Sequence, residues 1–548
     1  MSFLIRTFLN RRQWPMWILL SITVVAYIIN IRLAVALNEW NGRFYNALQT
    51  VNKEQIFRCL YDFMLLCTTL IIVLVTADYL KGRAALIARR ELTIRFFNSW
   101  LSENSAFYRL RLENKEPDNP DQRIAEDIHD VIALFLSLSF SLFNSVLMIG
   151  SFSVILWRLS GPLTIGGISI PGYMFWVCLL YTAIETLVTH LIGRKLKKLN
   201  FNAQKAEADM RASLLYKRTY AEAIAGLKGV EAARSELNTK FSSLFTILVD
   251  LLKKKRNLDY FSVGMGQVTH LTPIFFSLPA FFAGGIELGG LMQIRGAFVD
   301  VASSLSWIAM SYQSLASFAA TYERLSSLYT AISEIDERQT VKAVLYVPRD
   351  NGLAADINLC IPGKGEDGRL NVFLKLNPGC LTILQGPSGS GKSTILRVLA
   401  GFDRFAYGFV ETSAQTLWLT QQPYIFKGTL KANLAYPGLS ENLSDVEASD
   451  LMKKVGLSRF ISFLNRAEDW QNLLSGGEKQ RLMMARMLFI RPKVLLLDES
   501  TSALDEEAAV GMVCILRKEL SRSAILLVTH QTALLRLADH VVTMKEFL

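Results

Sequence analysis

Residues Gly386, Pro387, Ser388, Gly389, Ser390, Gly391, Lys392 and Ser393 form a glycine-rich run closing on Lys-Ser. Before it stands the apolar run Leu381–Gln385, and after it Thr394 opens a helical stretch to Ala400. Strand, loop and helix in that order let backbone N–H groups converge on phosphate oxygens at a helix N-terminus. Lys392 is expected to reach the β- and γ-phosphates of a nucleotide, and the Ser393 hydroxyl to bind Mg²⁺. A second run, Lys493–Leu497, ends in Asp498 and Glu499. Its consecutive apolar residues predict a strand buried on both faces of a parallel sheet. Asp498 is then placed to hold the metal, and Glu499 to polarise an attacking water. A third run, Ala524–Thr529, ends in His530, expected to donate to the γ-phosphate.

Upstream of Asp498, Leu474-Ser-Gly-Gly-Glu-Lys-Gln-Arg481 opens a predicted helix and makes a second serine-and-glycine anion cradle. With the loop at Gly386–Ser393, this octapeptide resembles the pattern of ATP-binding cassette (ABC) transporters. The resemblance implies that the second cradle closes over ATP held by a partner cassette, with Ser475 and Gly477 at the γ-phosphate and Gly476 in the same nucleotide set. It also implies that Gln421, in Gln421-Gln-Pro423, links Mg²⁺ to the membrane domain. Ser502–Asp505 then matches the D-loop, with Asp505 in the nucleotide set, and His530 matches the switch histidine.

These elements need only about 200 residues, and the chain has 548. Overall 51% of residues are apolar, 20% are charged and the net charge is +11. That balance excludes a disordered chain. Residues 1–335 hold 34 Lys and Arg against 25 Asp and Glu, and the remainder 25 against 23, so the basic excess lies in the apolar part. That part has six runs near the ~20 residues needed to cross a bilayer: Trp14–Leu37, Ile56–Leu80, Val131–Leu159, Gly172–Ile192, Leu258–Phe282 and Leu291–Ala320. Basic residues alternate between loops: Arg11 and Arg12, then Lys81, Arg83, Arg89 and Arg90, then Arg194–Lys198 and Lys253–Arg256. Positive residues stay in the cytoplasm, so both ends of the chain are expected there. The long cytoplasmic stretches Leu92–Leu112 and Ala203–Leu237 have helical apolar spacing and are expected to extend the membrane helices. Glu185, His270, Arg295 and Asp300 lie in or beside the later spans, where they read equally well as lining a solute path or as structural pairs. The basic residues flank spans without interleaved aromatics, which argues against nucleic acid as a partner. Six scattered cysteines show no metal-ligand spacing and read as free thiols.

The expected fold is an α-helical six-span transmembrane domain of ABC exporter type over residues 1–335, a linker over 336–352, and an α/β P-loop NTPase cassette over 353–548. The blocks Leu37–Leu48 and Asn119–Ile128 resemble the YddA-like and SbmA/BacA-related transporters, and the second also those of the peroxisomal fatty-acyl transporters of ABC subfamily D. In the same group an acidic loop element matches Ala221–Ala225. Asn119 followed by Pro120 and Asp121 reads as the start of a short cytoplasmic helix able to dock near Gln421. These features imply an ATP-driven half-transporter in a bacterial inner membrane with its cassette in the cytoplasm. It would use ATP and Mg²⁺, pair with a second copy of itself, and move a small-molecule, lipid or peptide solute. The resemblance points toward fatty acyl cargo and equally toward peptide- or cobalamin-like cargo. The alternative is a membrane-tethered ATPase that transmits force or signal without transport. Cassettes of this family stack adenine on an aromatic before the P-loop, whereas Ile361–Arg369 holds none before Phe373, so loose base discrimination is expected.

Overall fold

The computed structural model describes residues 13–102, 105–165, 168–338, 344–360, 369–402 and 406–547. Arg11 and Arg12, and most of the segment without an adenine-stacking aromatic (361–368), lie outside the described residues. The chain forms two compact units, one of Met1–Trp100 with Pro117–Thr330, the other of Leu101–Glu116 with Ala331–Leu548.

The first unit is built of long helices: Trp14–Gln49, Lys53–Trp100, Ile128–Ser160, Tyr173–Thr219, Val230–Phe282 and Leu288–Leu305, with Trp307–Arg338 continuing the last. Among the described residues four helices are long and apolar enough to cross a membrane, with mean hydropathy from 1.6 to 2.2. The fifth and sixth spans fall below that level because polar residues interrupt them. The sixth was expected as one run, Leu291–Ala320, and is two helices that meet at Ser306. Ser303, Ser304 and Ser306 crowd that junction, and the Ser303 hydroxyl donates to the Asp300 carbonyl at 3.1 Å. Hydroxyls that compete for backbone carbonyls loosen a helix.

The Leu37–Leu48 block ties the first span to the sixth. The side-chain oxygens of Asn46 and Gln49 accept the backbone N–H groups of Gly289 (2.7 Å) and Leu288 (3.2 Å). They thereby satisfy donors at the start of helix Leu288–Leu305, whose own N-cap, Glu287, makes no side-chain cap bond. A Cβ on Gly289 would stand 2.0 Å from the Gly42 carbonyl oxygen, so only glycine permits this approach.

The Asn119–Ile128 block starts a helix at Pro120 with Asp121 in its first turn, as expected, but differs from expectation in its cap and its length. Asn119 has φ 47° and makes no side-chain cap bond, and Pro120–Gln122 is a single turn rather than a separate helix. One π-helical turn, Arg123–Asp127, carries it straight into helix Ile128–Ser160. The reason is Arg123, whose side chain is buried and satisfied locally. It bonds the Asp118 carboxylate and the Arg324 carbonyl, and donates to the Asp118 carbonyl at 2.9 Å and to Ser327 Oγ at 2.6 Å. Asp127 adds an ion pair to Arg324 at 3.1 Å. The block anchors the third span to the extension of the sixth. Glu185, Arg295 and Asp300 are half-buried and His270 is exposed, and among the described residues no ion pair joins any two of them.

Among the described residues the second unit holds a five-stranded sheet, a four-stranded sheet and a short antiparallel pair, Gly428–Thr429 with Ala467–Glu468. Thr416–Leu419, Val494–Asp498, Ala524–Val528, Leu381–Gln385 and His540–Thr543 lie side by side, all parallel. The three expected central strands are buried along nearly their whole length, as their unbroken apolar runs require. A second sheet orders Val344–Pro348, Ala406–Thr412, Leu353–Cys360 and Arg369–Leu376. Val344–Pro348 falls within the stretch expected as a linker, yet it pairs in parallel with Gly408–Thr412 and is structural. Its five residues, Val-Leu-Tyr-Val-Pro, show no alternation of apolar and polar types, and the run is too short to distinguish from a linker by pattern alone.

Candidate active site

Parallel, nearly in-register pairing brings four strand ends to one edge of the sheet. Leu497 lies opposite Leu527 and Leu419, and Val528 opposite Leu384. The segments leaving that edge are Gly386–Gly391, Gln421, Glu499 and His530. Crevices outside the carboxyl ends of parallel strands are where such sheets bind ligands.

The loop from Gly386 wraps the head of helix Lys392–Leu399. Gly391 has φ 103°, a conformation that disfavours any side chain and turns the chain sharply into the helix. Lys392 is buried, and its ammonium donates to the carbonyls of Gly386 and Pro387, both at 2.8 Å. Burial pushes its pKa down, while the charges of Glu499 and Asp498 pull it up. Within the same loop Ser390 Oγ is a buried polar atom with no hydrogen-bond partner among the described residues. A phosphate in the loop would give it one and give Lys392 a charged acceptor. Pro387, Ser388 and Gly389 are exposed along the loop, and Thr394 N–H bonds the Gly391 carbonyl at 3.0 Å in the first turn.

Ser393 Oγ donates to Asp498 Oδ1 at 3.1 Å, which joins the two expected metal ligands. Burial pushes the Asp498 carboxyl above the ordinary carboxylate range, the Ser393 bond pulls it down, and the charge of Glu499 raises it again. An acid raised in this way costs stability once the pH exceeds its unfolded pKa, so a bound cation would relieve it. A hydroxyl and a carboxylate oxygen fit Mg²⁺, a hard ion that takes few protein ligands.

Glu499 sits at φ 47°, a left-handed conformation that costs a non-glycine residue about 1 kcal/mol or more. Its N–H bonds the Val528 carbonyl at 3.0 Å, and its carbonyl accepts the Ser502 N–H at 3.1 Å, which holds the turn. Two side chains grip the carboxylate: Gln421 Nε2 donates to Oε2 at 3.0 Å, and His530 Nε2 lies 3.3 Å from Oε1. The structure therefore brings Gln421, Glu499 and His530 together beside Lys392, Ser393 and Asp498.

Ser475 and Gly476–Gly477 behave differently. Ser475 caps helix Gly476–Ile490, and Glu478 returns the bond to complete a capping box. No hydrogen bond among the described residues joins Ser475–Gly477 to the loop Gly386–Ser393. Asp505 is likewise an N-cap, its carboxylate accepting Ala508 N–H at 2.7 Å.

Two features escaped the sequence. Gln531 donates to the carbonyls of Thr501 (3.3 Å) and Leu504 (3.0 Å) and accepts from the Thr501 hydroxyl (3.1 Å). Gln480 grips the same turn from the other side, accepting Ala503 N–H at 2.9 Å. The turn Thr501–Leu504 thus connects the helix behind Ser475 with the residue beside His530. The second feature is a helix, Ala106–Leu112, which lies in the cassette unit although its sequence neighbours belong to the membrane unit. Arg109 Nη2 donates to the Gly401 carbonyl at 2.8 Å, and Tyr108 packs edge-on against Phe402 at 4.8 Å and against Trp418 at 6.4 Å. Gly401 and Phe402 directly follow the P-loop helix, and Trp418 stands three residues before Gln421. The helix was expected to prolong the second span. Ser102 and Ser105, the latter at φ 52°, mark the break that apolar spacing concealed.

A P-loop nucleoside-triphosphatase cassette preceded by a bundle of membrane helices is the class that this fold and site define. This chain belongs to the ABC transporter family: the family described as "ABC transporter transmembrane region 2" matches residues 4–282, and that described as "ABC transporter" matches residues 370–502. It is 33% identical to the "Inner membrane ABC transporter ATP-binding protein YddA" of Escherichia coli, over 98% of this chain and 96% of that one. It is 26% identical to the "Lysosomal cobalamin transporter ABCD4" of Mus musculus, over 73% of this chain and 71% of the other. Its fold matches that of a bacterial Atm1-family ABC exporter with ATP bound, with TM-score 0.73 over 98% of this chain and 93% of that one, at 17% identity. The chain is a membrane-embedded, ATP-driven transporter whose cassette lies in the cytoplasm, and its ATPase is coupled to transport.

Proposed function

We propose that two copies of this chain form the transporter, that Glu499 is the general base for ATP hydrolysis, and that the cargo is a polar solute of peptide or cobalamin kind. The grip of Gln421 and His530 on Glu499, beside Lys392 and Asp498, carries the catalytic part. Gly386–Thr394 and Lys392 hold the phosphates. Ser393, Asp498 and Gln421 would hold Mg²⁺, which supplies charge neutralisation on the β- and γ-oxygens. Glu499 orients and deprotonates the attacking water, and His530 donates to the γ-phosphate. Each chain has one P-loop and one Ser475–Gly477 cradle, and these are not hydrogen-bonded to each other. That supports two chains supplying two composite sites, each with Ser475, Gly476, Gly477 and Asp505 from the opposite copy. A membrane domain to about residue 335 and a cassette that begins with the strand at Val344 is the division this reading requires.

Half-buried Glu185, Arg295 and Asp300, without ion pairs to one another, favour a polar path through the membrane over a fatty acyl one. The test is ATP-driven movement in proteoliposomes with cassettes facing outward, offering labelled peptide, cobalamin and acyl-CoA in turn. Movement of a polar solute, into or out of the lumen, abolished by Glu499→Gln, is expected. Movement of acyl-CoA alone would overturn the cargo reading.

The helix Ala106–Leu112 is proposed to carry cassette closure to the second and third spans. Tyr108→Ala removes both ring contacts, and coupling through such a network is typically worth ~0.5–2 kcal/mol. The expected outcome is ATPase activity within about threefold of the parent and transport reduced about tenfold. An equal fall in both rates would show a role in cassette folding instead.

A further inference from the structure

The helices Tyr173–Thr219 and Val230–Phe282 pack antiparallel. On the membrane side Tyr181 Oη donates to the Met265 carbonyl at 2.8 Å and meets Thr269 Oγ1 at 2.6 Å. On the cytoplasmic side Lys240 bonds Ser213, and Lys217 pairs with Glu236. Between these two sets of contacts the register brings Arg194, Lys195, Lys197 and Lys198 level with Lys253, Lys254, Lys255 and Arg256. The first group starts two residues beyond the apolar span that ends at Ile192. Eight basic positions therefore share one level at the cytoplasmic end of two adjacent spans.

Some of the basic residues around them are neutralised within the chain. Farther along the same helices Lys217 and Lys240 share Glu236, and Arg234 pairs with Glu231 at 3.2 Å. At the end of the second span Lys81 pairs with Asp78 at 2.7 Å. In the group of eight Lys253 reaches Asp250 at 3.5 Å, and Arg256 donates to the amide oxygen of Asn257. Among the described residues, Arg194, Lys198, Lys254, Lys255 and Arg256 pair with no carboxylate, and all five are exposed. Tyr260 and Leu252, 74% and 64% exposed, flank them, and tyrosine is a residue of the headgroup level. Topology requires some positive charge on this side of a span. It does not require this density of basic residues on two touching helices, where among the described side chains of the group only Lys253 reaches a carboxylate.

We propose that Arg194–Lys198 and Lys253–Arg256 form a single surface that binds the phosphates of anionic phospholipid headgroups in the cytoplasmic leaflet, and that this binding supports the ATPase cycle. Basic clusters immediately cytoplasmic of a span, and basic recesses between spans, have the chemistry for such headgroups. Two like-charged segments held side by side repel, and shared phosphates would bridge them. The attraction is surface-exposed and must weaken as salt rises.

The experiment uses the full chain in nanodiscs of phosphatidylcholine alone, or with a third phosphatidylglycerol, and reads ATPase rate across a salt series. Phosphatidylglycerol is expected to raise the rate about threefold, with the gain fading at high salt. Combined Lys253→Gln, Lys254→Gln, Lys255→Gln and Arg256→Gln should lose the gain and keep the phosphatidylcholine rate. The corresponding Lys→Arg and Arg→Lys changes should restore it, and Lys53→Gln with Arg58→Gln, at the opposite end of the second span, should leave it intact. In parallel, photoactivatable phosphatidylglycerol added to the unaltered protein should crosslink to peptides containing 194–198 and 253–256. This arm stands even where the glutamine variant fails to fold. An equal phosphatidylglycerol response in parent and variant, or crosslinks elsewhere only, would overturn the proposal. A soluble organic phosphate that reproduces the gain in phosphatidylcholine discs would overturn it too, and would make the surface a contact for soluble anions.

Discussion

Glu499→Gln is expected to lower ATP turnover by about 10²-fold or more, the loss that removal of a general base brings. The substitution keeps the side chain's length and the φ 47° turn, which is held by backbone bonds to Val528 and Ser502. It also keeps an oxygen that can accept from Gln421. Binding is therefore spared while deprotonation of water is not, so the variant should accumulate an ATP-bound closed dimer. Single-turnover hydrolysis together with size analysis in ATP checks both halves. Near-normal turnover would remove Glu499 from the mechanism and leave its contacts with Gln421 and His530 as structure only.

Lys392→Ala is expected to fail earlier. Removing one preorganised donor to developing charge commonly costs about 10²–10³ in turnover, and Lys392 is also a ground-state phosphate ligand in this reading. Nucleotide affinity should fall together with the rate, and no closed dimer should form in ATP. The buried ammonium holds the Gly386 and Pro387 carbonyls at 2.8 Å, so the loop itself should loosen. Equilibrium binding of a fluorescent nucleotide separates the two variants: retained for Glu499→Gln, lost for Lys392→Ala. Tight binding by Lys392→Ala would show that the glycine-loop backbone alone holds the phosphates.

Much of the site was legible because its parts are local. A buried strand needs four or five apolar residues in a row, and Leu381–Leu384, Val494–Leu497 and Ala524–Val528 each supply them. The residue after such a run stands at the carboxyl end of its strand, which is why Asp498, Glu499 and His530 could be named in advance. The Asn119 block was legible only in part: the helix starts at Pro120 as its residues indicate, but runs on into the third span. Asparagine, proline and aspartate mark a helix start, but sequence does not reveal that Arg123 is buried against Arg324 and Ser327, about 200 positions away. The docking helix Ala106–Leu112 was hidden for the opposite reason. Its apolar spacing continues that of the preceding span, and only two serines betray the break.

From sequence alone came the class of chemistry, the membrane spans and the residues that meet phosphate, since each rests on spacing within a few residues or on composition over about twenty. Tertiary structure decided which strand neighbours which, and hence that Gln421 and His530 close on opposite oxygens of Glu499. It also decided that Gln480 and Gln531 grip one turn from two sides, that Asn46 and Gln49 cap a helix some 240 residues distant, and that two basic segments share one level. Those facts depend on contacts between residues far apart in the chain, which are selected by the packing of whole elements and leave no periodic trace in the sequence around either partner.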